Sequence, residues 1–83
     1  MPVVIDPHAR ERIVERGATE DEVIATVGRG ERFAAKFGRT GFRRNIRFDG
    51  IWRGRRYSTK QLEVFAIEDD GRWVVVTVIV KFF

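Results

Sequence analysis

The segment KQLEVFAIEDDGRWVVVTVIVKFF, residues 60–83, constrains the fold more than any other part of this chain. Two runs rich in β-branched and aromatic residues flank Asp70-Gly71, a pair that favours the mirror-image turn of a tight hairpin. A two-residue loop there sets Phe65 and Ile67 on one face with Val74, Val76, Val78 and Val80, the expected dry surface for helices. Leu62, Val64 and Ala66 then share the other face with Trp73, Val75, Thr77 and Ile79. The second run is apolar on both faces, which predicts an interior place in the sheet. The same register puts Lys60 opposite Lys81, and like charges opposed across a strand pair repel. A bound phosphate would relieve that repulsion, both ammoniums could instead snorkel to water, and a one-residue bulge would remove the pairing.

Upstream, Val3–Ile5 reads as a short β-run. Asp6 then has the character of a helix N-cap, and Pro7 suits a first helical position, where no N–H is needed. This helix should run to about Arg16 and stop at Gly17, with Ala9 and Ile13 as its inner stripe. His8, Arg12 and Arg16 step by four along a neighbouring face. Thr19 and Glu22 form a capping box, and Ala18 with Val23 a hydrophobic staple, at the start of a second helix that ends at Gly28 or Gly30. Val23, Ile24 and Val27 are expected to face inward. So short a connection makes the two helices a hairpin. From Phe33 the pattern turns to strands: Phe42, Ile46 and Phe48 alternate with Arg43, Asn45 and Arg47. FGRTG at 37–41 reads as a mobile loop, Asp49-Gly50 as a turn, and Gly54 as a weak point in a strand. The expectation is one α+β domain over 1–83, with an N-terminal helical hairpin, after a short strand, on one face of a three- to four-stranded antiparallel sheet.

Charge is distributed unevenly. Residues 29–60 hold eleven basic residues against only Glu31 and Asp49, while the flanking segments are net acidic. A basic middle interleaved with aromatics is the footprint of a nucleic-acid binder, although an arginine-rich sheet edge also resists aggregation. The absence of cysteine removes disulfides and thiolate ligands, and one histidine makes zinc improbable, so no metal or cofactor is expected. The N-terminus lacks the pattern of a signal peptide, and the longest apolar run is too short to span a bilayer as a helix. A cytoplasmic protein with no membrane partner is the expectation.

Among reaction classes, serine hydrolysis is unsupported, because Ser58 is the only serine and has no nucleophile-elbow context. The glycines match neither a dinucleotide fingerprint nor a Walker loop. What remains is metal-free chemistry on a phosphodiester, which needs a proton acceptor, cations for the phosphorane and an acid for the leaving oxygen. His8 is the candidate base or acid and Arg12 and Arg16 are candidate phosphate ligands. Lys60 and Lys81 are candidates for transition-state stabilisation, with Tyr57 as a further candidate. Arg43, Arg44, Arg47, Arg53, Arg55 and Arg56 are the expected substrate-binding cations, while Trp52 and Trp73 suit either the core or a nucleobase platform.

The residues HARERIVERGATEDEV (8–23), together with KQLEVFAIEDDGRWVVVTVIV (60–80), resemble the domain-of-unknown-function 4258 family. His8, Arg12, Arg16-Gly17, Thr19 and Thr77-Val78 stand at its pattern positions. That family is similar to the RelE and BrnT toxins, so the resemblance implies a RelE-like fold and a small metal-free endoribonuclease, held by an antitoxin. A non-catalytic nucleic-acid binder or a protein-interaction module with a basic surface are the alternatives, and a homodimer is left open. The lysines lie, in this reading, on the sheet face away from the first helix.

Overall fold

The computed structural model describes all 83 residues. The order is β1 (Val3–Ile5), α1 (Pro7–Glu15), α2 (Glu20–Arg29), β2 (Glu31–Ala34), β3 (Thr40–Trp52), β4 (Arg55–Asp69) and β5 (Arg72–Phe82). The sheet has five strands in the order β1-β5-β4-β3-β2, with β1 parallel to β5 and every other pair antiparallel. The α+β expectation holds. The count of three to four strands and the all-antiparallel sheet do not, because the three-residue β1 and the four-residue β2 both pair. Alternation cannot be read over such short runs.

Both helices start where local chemistry says they should. Asp6 accepts from the His8 backbone N–H at 2.9 Å with Pro7 behind it. Thr19 and Glu22 make the reciprocal capping box, at 2.9 and 3.1 Å. Gly17, at φ 82°, turns the chain between them, and a Cβ there would stand 2.8 Å from the Trp52 ring. Ala9 and Ile13 are buried as expected. In α2 the inward residues are Val23, Thr26 and Val27, while Ile24 is 43% exposed. Thr26 can be buried because its hydroxyl donates to the Glu22 carbonyl at 2.8 Å.

The main departure lies in the β4–β5 hairpin. Asp70 and Gly71, at φ 52° and 75°, make the expected two-residue turn, and Asp69↔Arg72 through Ala66↔Val75 follow its register. The register then shifts: Phe65 pairs with Thr77, so Val76 has no partner and forms a bulge. Beyond the bulge Lys60 faces Phe82 and Gln61 faces Lys81, so the expected opposition of Lys60 and Lys81 does not exist. The bulge also inverts the side-chain alternation of β5. Trp73 and Val75 before it, and Val78 after it, are all buried under the helices with Leu62, Val64 and Ala66. The expected helix-facing placement of Phe65, Ile67 and Val74 is therefore corrected to the opposite face of the sheet, whereas Val76 sits in the bulge beside α1 and Val78 and Val80 remain on the helix side. As expected, β5 is interior, although β1 covers it only from Trp73 to Val75.

A second correction concerns the β3–β4 hairpin. Its turn is Arg53-Gly54, at φ 49° and 80°, and Asp49, at φ 45°, marks a bulge within β3 instead. The hairpin consequently extends past the last pairing of β4 with the C-terminal strand, where Thr59 and Phe83 exchange backbone hydrogen bonds at 2.7 and 3.0 Å, as a projecting arm. No helix is long and apolar enough to cross a membrane.

Candidate functional site

The His8–Arg12–Arg16 line faces the place where the sheet is interrupted. β1 stops at Ile5, and the Asp6 N–H makes the last bond to β5, at the Val75 carbonyl 3.0 Å away. The chain then turns into α1, and the β5 bulge begins at the next residue, Val76. Between helix and bulge lies a cleft of about 260 Å³ lined by His8, Arg12, Arg16, Val76, Thr77 and Val78, with Ala9 at its base. Helical spacing puts the three polar side chains on one face of α1, and the bulge supplies the opposing wall.

The electrostatics of this cleft favour an anion. Its lining contains two arginines, a histidine and a hydroxyl, and no carboxylate. Arg16 donates through Nη1 to the Val78 carbonyl, which holds its guanidinium in place while leaving other N–H donors free. Arg12 forms no ion pair and no side-chain hydrogen bond, and the His8 imidazole has no hydrogen-bond partner either. A pair of cations with no acid opposite them, one anchored and one free, matches what a phosphate oxygen recruits.

Comparison with protein-family models, with curated proteins and with solved structures finds no match for this chain.

Lys60 does not belong to this cleft. It is 6% exposed, and its Nζ donates to the Gly17 carbonyl at 2.8 Å and to both oxygens of Glu22, at 3.0 and 3.1 Å. An ammonium has three donors, and all three are used. The catalytic expectation for Lys60 is corrected accordingly: it ties the turn between the helices and the start of α2 to the sheet. Lys81 is on the other face, 62% exposed and 3.9 Å from Glu63. Tyr57 lies on the arm, 5.6 Å from the Phe82 ring centroid, with Arg55 over its ring. None of these three lines the cleft beside His8.

The expected substrate-binding arginines divide into two groups. Arg43 is neutralised by Glu63, at 2.6 and 2.9 Å, and Arg47 by Asp49. Arg53 stacks on Trp52 and reaches the Glu15 carbonyl at 3.3 Å, joining the arm to the end of α1. Arg55 stacks on Tyr57, while Arg44 and Arg56 make no ion pair. Trp73 is buried against Phe42, and Trp52 stacks on Phe82, so both tryptophans serve packing.

Ala9, Val76, Thr77 and Val78 are the lining residues that sequence reasoning did not place in a site. The available signal was Thr77 itself, the single polar residue in WVVVTVIV. No three His, Cys, Asp or Glu side chains converge to hold a metal ion.

Proposed function

We propose that this chain is a RelE/BrnT-like RNA-binding domain that grips a phosphodiester in the His8–Arg12–Arg16 cleft. The observation that carries the reading is the carboxylate-free convergence of those three side chains on the β5 bulge. The projecting arm, with Arg53, Arg55 and Arg56 around Trp52 and Tyr57, extends the basic surface from the end of α1. Together these give an electrostatic track for a phosphate backbone.

Cleavage of that ester is the catalytic form of the same reading, and it makes the chain a toxin-type endoribonuclease. His8 takes the proton from a 2′-hydroxyl, whose oxygen attacks the adjacent phosphorus. Arg12 and Arg16 stabilise the charge that builds on the phosphorane oxygens, and the 5′-oxygen leaves with a proton from water. Lys60 plays no part in this scheme. An antitoxin in such a system would cover the cleft and the basic arm with acidic residues. The non-catalytic form is favoured by one specific observation: no second proton-donating side chain stands beside His8 in the cleft.

Incubating purified wild type and His8→Ala with a single-stranded RNA, in the presence of a chelator, separates these forms. Cleavage by the wild type that His8→Ala loses, with RNA binding retained, supports the endoribonuclease. Binding without cleavage by either supports the non-catalytic form. Absence of RNA binding by the wild type overturns the RNA reading.

A further inference from the structure

We propose that the helix-free face of the sheet holds one unpaired base of single-stranded RNA, with Phe37 as its stacking surface. This rests on the RNA-binding reading above and narrows its substrate class. A second groove, of about 280 Å³, is floored by Phe65 and Ile79 and walled by the β2–β3 turn with Lys36, Phe37 and Arg39. It contains no carboxylate, and Thr77 lines both this groove and the α1 cleft. The two sites lie on opposite sides of β5 and meet at its bulge, where β1 has already ended. A strand whose phosphate sits between Arg12 and Arg16 passes over that uncovered edge, and a neighbouring base arrives at Phe37.

Phe37 is the second observation. It is 86% exposed, and its backbone φ is 63°, in the left-handed region. A bulky apolar residue is poorly suited to that position on both counts, since glycine or asparagine would fit the turn without strain. A strained residue held outward at a site edge is a recognised mark of function. The Arg39 guanidinium lies over one face of the Phe37 ring, 5.9 Å from its centroid, so a base would stack on the other, exposed face. An apolar floor, a free ring and two cations match a nucleobase with its attached phosphate. A duplex cannot use this platform, because its bases are already stacked.

The test compares wild type with Phe37→Asn, a change that suits the turn and leaves folding intact. Binding is read by fluorescence anisotropy with a labelled single-stranded RNA and with the same RNA annealed to its complement. Phe37→Asn should weaken single-strand binding by about tenfold and leave duplex binding unchanged. Equal loss on both RNAs, or no loss on either, overturns the platform while leaving the phosphate cleft standing. A wild type that binds neither RNA overturns the RNA reading itself, and the platform with it. An acidic peptide that binds this groove and is displaced by neither RNA also overturns the proposal.

Discussion

At the scale of single residues, Lys60 decides how the site is read. A lysine near a basic surface looks like a catalytic cation, but this one spends its three donors on Gly17 and Glu22. Removing one member of a buried ion pair leaves the other uncompensated. Glu22 keeps some contact with solvent, its side chain being 23% exposed, which lowers the cost. Lys60→Ala should destabilise the fold by about 3 kcal/mol, at the low end for a buried pair. Urea unfolding measures that loss, and RNA affinity at a temperature where the variant is folded should match the wild type. Arg12 is the opposite case. It is exposed, makes no ion pair and holds nothing in place, so Arg12→Ala should leave the melting temperature unchanged while weakening RNA binding. His8 and Arg12 could be read as a pair from their spacing alone. The partner of Lys60 could not, because the ion pair spans two elements far apart in sequence.

At the scale of elements, the devices that were legible are those written in adjacent residues. Asp6-Pro7, the Thr19–Glu22 box and the Asp70-Gly71 turn each fix a few residues by local bonding, and each is present. Thr19→Ala removes one side of the capping box and should cost about 1 kcal/mol, a fall of about 4–8 °C in melting temperature for a domain of this size. What was not legible was the β5 bulge. Every residue from Val74 to Val80 except Thr77 is apolar, so a one-residue shift loses no hydrophobic contact pattern. The same uniformity made the helix-facing set of valines impossible to choose. Asp49-Gly50 and Arg53-Gly54 compete as turns for a similar reason: each can adopt positive φ, and the pairing of Trp52 with Arg55 decides for the second. Deleting Val76 should restore one continuous register. It would keep Val78 opposite Val64 in the core while removing the bulge that walls the cleft, which loss of RNA binding with stability retained would reveal.

At the scale of the whole molecule, the interruption of β5 connects fold to function. A sheet whose parallel edge strand ends after three residues leaves an uncovered stretch of β5, and the bulge opens it further. α1 lays its histidine and arginines along that gap. The basic arm projects past the end of β5, and the long axis of the molecule reaches 41 Å. Charge asymmetry along the sequence pointed to the arm and to the middle strands. It did not separate Arg43 and Arg47, which carboxylates neutralise, from Arg56, which none does. RNA binding by this surface depends on the cleft being a phosphate site. The most direct measurement is anisotropy titration of single-stranded RNA with wild type and Arg12→Ala between about 50 and 200 mM salt. The expected result is weaker binding by Arg12→Ala and a salt slope reduced by about one, at unchanged stability. Identical affinity and slope for the two proteins would contradict it.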